Sequence, residues 1–472
     1  MKKEETFVAI FGKKKSEVES YNEITVMNAL KKGDMNVKLS ALIFGFGNIV
    51  NKQIIKGLLF LLVEVAYIAY MILVGGKTIV DFITLGTKVT GSQLNPETNL
   101  MENVIGDNSM LCLLYGVVTI FITAAFILFW REVIKSAYNT YLLKQRGKEI
   151  PSFIDDIKSL FDTNLHKTLM ALPLIGIVVF TVMPLFFMIL MAFTNYDRDH
   201  PVPGKLFDWV GLENFGRIFN AQSSLGRTFW PVLGWTIVWA IFATFLNYIM
   251  GMVLAIIINR EGTKLKAMWR FIFVLTIAVP QFVSLLIIRT MLQPDGAVNV
   301  LLRNLGLQGQ SDYLPFFADV TWARVTIIIV NLWVGIPYTM LQCTGILQNI
   351  PAELYESAKV DGANAVITFF KITLPYMLFV TAPNLITSFI GNINNFNVIF
   401  LLSGGQPSCA EYYKGTAGKT DLLVTWLYKI TINNKDYNLG AVIGILTFVI
   451  CATVSLIVYR NTGSYKNEEE FQ

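Results

Sequence analysis

Eight stretches of this chain are apolar and long enough to cross a bilayer, at roughly 54–74, 111–130, 168–193, 230–258, 270–292, 320–347, 376–402 and 438–459. A spanning helix needs about 20 predominantly apolar residues. Lipid cannot hydrogen-bond backbone amides, so only helices and closed barrels cross it. A barrel strand would alternate apolar and polar residues over about ten positions, and these runs do not alternate. The expected fold is all-α, a polytopic membrane protein with about eight transmembrane helices. Composition agrees: 15% of the 472 residues are charged, where a soluble chain carries about a quarter.

Charge sets the orientation. With the N-terminus inside, the inner segments 1–53, 131–167, 259–269, 348–375 and 460–472 hold 23 Lys and Arg. The outer segments 75–110, 194–229, 293–319 and 403–437 hold 11. This bias places both termini in the cytoplasm. It also explains the net charge of +5 without nucleic acid, since the basic residues are spread over loops and form no single stripe. The Lys-rich residues ahead of the first run lack the short apolar core and small-residue site of a cleaved leader. Residues 40–50, SALIFGFGNIV, are too short to span and suit a membrane-surface or re-entrant segment.

Gly147 and Pro151 in the loop 131–167 mark the natural boundary. The expected organisation is a cytoplasmic or interfacial segment 1–53, a transmembrane hairpin with its linker 54–167, a core domain of six helices 168–460, and a tail 461–472. Glu64, within the first run, is a functional candidate by position, although a hydrogen-bonded structural group is the simpler reading.

Several chemistries lack their residues. His166 and His200 are the only histidines, on opposite sides of the membrane, which argues against a triad or a His-based metal site. Cys112, Cys343, Cys409 and Cys451 match no ligand spacing; apolar packing suits them, with a Cys112–Cys409 bridge on the outer side as an alternative. GTAGKT at 415–420 imitates a phosphate loop, but Tyr413 stands where the motif needs its first glycine. No catalytic, metal or cofactor site is expected; any ATP and Mg²⁺ must be used by another chain.

The inner segment 349–375 is the most informative. Asn349 can cap a helix, Pro351 suits its first turn, and Glu353 favours its dipole. Asp361-Gly362 reads as a turn after Val360, because glycine accepts the left-handed conformation that ends helices. A second short helix is expected from Asn364 to Lys371, with Pro375 marking entry to the next span. Leu354 and Ala358 share a face, and Ala358 and Gly362 are small enough for a partner to approach closely. The segment YESAKVDGANAVITFFKITLP (355–375) resembles the EAA loop of importers driven by ATP-binding-cassette (ABC) ATPases. Glu356, Ala358, Gly362, Ile372, Leu374 and Pro375 match, Asp361 and Ala363 are frequent companions, and Ser357 replaces the usual alanine. The resemblance implies that Glu356, Ser357, Ala358, Asp361, Gly362 and Ala363 couple the chain to an ATPase, docking in its cleft and carrying its closure to the spans.

Polar residues inside the later runs suggest a ligand. GNINNFN at 391–397 holds four asparagines. Ser388, Asn392 and Asn395 share one helical face, and Asn331, Gly335 and Tyr338 make a second stripe with the same rhythm. By residue chemistry these could read sugar hydroxyls or simply bond helix to helix. The segments 331–363, 394–407 and 420–430 resemble the larger membrane subunit of the maltose/maltodextrin importer, with the likeness extending from about 168 to 460. That resemblance implies a substrate site at Asn331, Val334, Gly335, Tyr338, Ser388, Asn392 and Asn395. Gly391 departs from the family, where an aromatic ring stands. The outer segment 194–229 is also short, since some members carry an extra domain there, which implies a smaller contact with a binding protein.

The resemblance implies a permease subunit for maltodextrin-like oligosaccharides in a bacterial plasma (inner) membrane. Its partners would be a second homologous permease, two cytoplasmic ABC ATPases and an extracellular solute-binding protein. The rival readings are an ion-coupled carrier using Glu64, a membrane enzyme acting on lipid-linked sugar, and an ABC permease for a different oligosaccharide.

Overall fold

The computed structural model describes residues 24–94, 101–260 and 262–460. Among them are seven helices long and apolar enough to cross a membrane, or eight spans when one bent pair counts as a single crossing. In chain order these are span 1 (Ile54–Thr84), span 2 (Ser109–Gln145), span 3 (Leu165–Met191), span 4 (Ser224–Asn259), span 5 (Lys266–Ala278 with Gln281–Met291), span 6 (Val320–Leu347), span 7 (Ala365–Ser403) and span 8 (Tyr437–Arg460). The all-α expectation holds, apart from an antiparallel hairpin pairing Gly91–Leu94 with Met101–Val104.

Span 5 corrects the sequence reading of one continuous run. It bends by 85° between Ala278 and Gln281. Pro280 has no N–H to give the helix, and the residue before a proline is pushed to extended geometry. Val279 adopts φ −80° and ψ 122° accordingly.

The chain divides into two compact units, one of residues 1–190 and 200–209, the other of 191–199 and 210–472. In the first, three short helices, Val26–Lys32, Met35–Leu39 and Phe46–Val50, precede span 1. Ala29 and Val37 bury against Ile134 and Tyr138 of span 2. Segment 40–50 is packed rather than adrift. A Cβ on Gly45 would meet the Gly57 carbonyl at 2.4 Å, so the chain crosses span 1 at a pair of glycines. There the Phe44 N–H donates to Glu64 Oε2 at 2.8 Å, which gives Glu64 the structural role. Phe186 of span 3 packs edge-on against Phe121 of span 2.

In the second unit, two apolar clusters hold spans 4 to 7. Tyr248, Met252, Ala255 and Ile258 of span 4 meet Met340 and Cys343 of span 6 and Met377 of span 7. Towards the other end, Trp235, Trp239 and Ala243 pack with Leu285, Ile327, Val398 and Leu402. The outer loop after span 7 folds over buried Asp421, which accepts from the Gly418 N–H (2.7 Å) and pairs with Lys429 (2.6 Å). The phosphate-loop lookalike is thus part of a self-bonded turn. All four cysteines are free thiols, and Cys343, Cys409 and Cys451 are buried.

Candidate functional site

Within the second unit, backbone irregularities coincide with the polar stripes. Span 4 widens into a turn of i→i+5 hydrogen bonding at Phe242–Leu246, a feature that often marks functional positions. Span 7 stops at Ile393 and resumes at Phe396. Asn395 caps the resumed helix, its Oδ1 accepting the Val398 N–H at 3.3 Å. The same side chain donates to Asn392 Oδ1 at 3.3 Å, and Asn392 Nδ2 donates to Thr244 Oγ1 in the widened turn at 3.0 Å. Trp239 Nε1 holds the Asn392 carbonyl at 3.1 Å. Asn392 and Asn395 therefore form one cluster with span 4, and half-buried Ser388 lies one turn before Asn392.

Gly335 of span 6 is the close approach that this packing requires. A Cβ there would lie 2.6 Å from Asn247 Nδ2, so the missing side chain makes room for Asn247. Asn247 Nδ2 donates to the Ala243 carbonyl at 2.7 Å. Its Oδ1 and the Nδ2 of Asn331, one turn from Gly335, are buried and unpartnered among the described residues. An uncommitted buried polar group costs about 1–3 kcal/mol, so this packing leaves one acceptor and one donor unsatisfied. Val334 and half-exposed Tyr338 border a narrow cleft with Thr276, Gln281 and Ser284 of broken span 5. Thr244, Asn247, Thr276, Gln281 and Ser284 were not singled out in the sequence. Pro280 was the available signal for the span 5 residues. The two span 4 residues show only as polar positions in an apolar run.

The inner segment follows the expected bend but differs in detail. A helix runs Ala352–Val360, and Gly362 turns the chain at φ +73°. Pro351, not Asn349, occupies the cap, and no side chain bonds there. Asn364 caps the next helix by accepting the Ile367 N–H at 2.9 Å. That helix does not stop at Lys371. It passes through a widened turn at Phe369–Thr373 and continues past Pro375 into span 7, because the widened turn accommodates a residue without an N–H. Tyr355 Oη meets Thr373 Oγ1 at 3.1 Å and ties the first helix to the base of the span. Glu356, Ser357, Asp361 and Gly362 are exposed, and Ala363 is half-buried. Ala358 is buried within the chain, so it is not the small open position expected of it. The face that remains open carries Glu353, Glu356, Ser357 and Val360.

The family described as binding-protein-dependent transport system inner membrane component matches residues 247–463. The galactooligosaccharides transport system permease protein GanP of Bacillus subtilis (strain 168) is 34% identical, over 91% of this chain and 98% of its own. The maltodextrin transport system permease protein MdxF of the same organism is 34% identical, over 94% and 99%. A crystal structure of a bacterial ABC transporter involved in the import of the acidic polysaccharide alginate aligns over 65% of this chain and 97% of its own. The TM-score is 0.51 at 21% identity, a likeness of fold. The chain belongs to the permease family of binding-protein-dependent, ABC-type importers. It is a multi-pass inner-membrane permease, and a transporter component rather than an enzyme.

Proposed function

We propose that this permease forms the path for a maltodextrin-like oligosaccharide and is driven by a separate ATPase. The observations that support this reading are the uncommitted acceptor and donor at Asn247 and Asn331, the Asn392–Asn395 cluster and the exposed Tyr338 ring. Amides and an aromatic face suit sugar hydroxyls and ring faces, and these residues include no pair of carboxyl groups of the kind that usually cleaves a glycosidic bond. The sugar passes unchanged. The exposed bend around Gly362 would dock one of two ATPase copies beneath this chain and a second homologous permease, with an extracellular binding protein delivering substrate. ATP and Mg²⁺ belong to the ATPase.

Reconstitution of the full assembly in vesicles tests this. Uptake of labelled maltodextrin should require ATP and cease with a hydrolysis-dead ATPase. Undiminished uptake with that ATPase refutes the reading. A different oligosaccharide is the second reading, favoured by the equal 34% identity to a permease named for galactooligosaccharides. Competition between the two sugar classes separates them.

A further inference from the structure

We propose that the first unit carries a binding site for the phosphate-bearing headgroup of an anionic phospholipid, at the inner ends of spans 1 and 2. A cleft of about 480 Å³ opens there, and its lining includes Lys52, Lys144 and Lys148 but no carboxylate. The side chains of Lys52 and Lys148 make no ion pair or hydrogen bond among the described residues, and Lys144 Nζ donates only to the neutral Asn51 Oδ1, at 3.2 Å. Glu149, next to Lys148 in the chain, is exposed and does not line the cleft, and the acids that follow the cleft are committed elsewhere. Asp155 accepts from Ser152 N and Oγ at 3.0 and 2.7 Å, and Asp156 pairs with Lys56 at 2.7 Å.

The cleft is held in shape before any ligand arrives. Buried Gln53 donates to the Pro151 carbonyl at 2.8 Å and accepts from Asn48 Nδ2 at 2.7 Å. Asn51 Nδ2 donates to the Gly47 carbonyl at 2.7 Å. Lys52 and Gly147 turn the chain on either side at φ +67° and +65°.

The surroundings identify a lipid rather than a soluble anion. Span 1 begins directly after Gln53 with Ile54, Ile55, Leu58 and Leu59, all exposed on the unit. The helix Phe153–Phe161, which follows the cleft, exposes Ile154, Ile157 and Phe161 at helical spacing. Such an apolar face lies in the plane of a membrane interface. Ammonium groups beside lipid-facing apolar surface on the inner side match an anionic headgroup above its acyl chains.

Each lysine near an anionic surface strengthens binding roughly fivefold, so losing three should weaken it on the order of 100-fold. The full chain in neutral detergent is titrated with phosphatidylglycerol, phosphatidylcholine or glycerol 3-phosphate and read by native mass spectrometry. The wild type should retain phosphatidylglycerol and release phosphatidylcholine. Lys52→Gln/Lys144→Gln/Lys148→Gln should lose the lipid, while Lys31→Gln/Lys32→Gln/Lys38→Gln, with the same charge change, should keep it. Lys148→Gln alone, on an exposed loop, should cost about fivefold and serves if the triple variant misfolds. Equal retention by both triple variants, or by Lys148→Gln and wild type, overturns the site. Equal binding of phosphatidylcholine overturns the anionic selectivity. Glycerol 3-phosphate binding as tightly as the lipid overturns the lipid assignment.

Discussion

Asn392 is the residue at which a sugar-contacting role separates most cleanly from a structural one. Its amide has two N–H donors and an oxygen with two lone pairs. One donor goes to Thr244 Oγ1 and one lone pair to Asn395 Nδ2. One donor and one lone pair are left over. If a sugar hydroxyl uses them, Asn392→Ala removes a net hydrogen bond of about 1–1.4 kcal/mol, a loss of roughly five- to tenfold in sugar affinity. Thr244→Val removes only the interhelical bond, which in membranes averages about 0.6 kcal/mol. It should change affinity less than threefold while lowering thermal stability in detergent. Because Thr244 Oγ1 meets Asn392, Thr244→Val should cost nothing further in the Asn392→Ala background. The measurement is equilibrium binding of labelled oligosaccharide to the importer in nanodiscs, with melting curves alongside. If Asn392→Ala binds sugar within twofold of wild type while its melting point falls as far as that of Thr244→Val, the amide only holds helices together. The proposed site then loses its centre.

Four further outcomes follow from the same geometry. Gly362→Pro should leave the spans inserted but uncouple transport from ATP hydrolysis, since φ +73° is closed to proline; wild-type coupling in vesicles would show that the bend is dispensable. Gly391→Phe places a ring where a Cβ meets nothing within 4 Å; the chain should fold normally and shift its preference among oligosaccharide lengths, read by competition uptake. Lys429→Met leaves the buried Asp421 carboxylate without its cation and should cost on the order of 3 kcal/mol, seen as a lower melting point that Lys429→Met/Asp421→Asn partly restores. Asp107 is held below the ordinary carboxylate range by N–H bonds from Thr87 and Lys88. Its stabilisation of the outer loop is therefore complete above the unfolded value of about 3.9 and is lost as pH falls through the folded one. The protection factors of the Thr87 and Lys88 amides, taken relative to the intrinsic exchange rate at each pH, should fall in acid, and Asp107→Asn should abolish that dependence.

The sequence disclosed features that rest on local rules and concealed those that rest on neighbours. Apolar length alone located the spans, because a bilayer imposes one requirement on every crossing residue. Gly362 was legible for a similar reason, since a left-handed turn after a helix is a local event. The polar stripes were visible as periodicity, but periodicity could not separate a ligand site from helix pairing. That choice depends on which lone pairs and N–H groups remain uncommitted after packing. Asn392 illustrates this: its structural bond runs to Thr244, 148 residues earlier in the chain. Asn247 was missed because its importance comes from a glycine on another span that leaves space for it. Ala358 shows the same dependence on neighbours. A small residue on an amphipathic helix suits a partner's surface or the chain's own, and the fold uses it for the latter. Pro280 was the one strong local signal passed over. A proline within an otherwise spanning run is compatible with a kinked continuous helix, and the 85° bend follows only when Val279 leaves helical geometry. That bend brings Thr276, Gln281 and Ser284 to the edge of the Val334–Tyr338 cleft. A break set by proline chemistry thus places polar groups of span 5 against Val334 and Tyr338 of span 6, two residues of the proposed site.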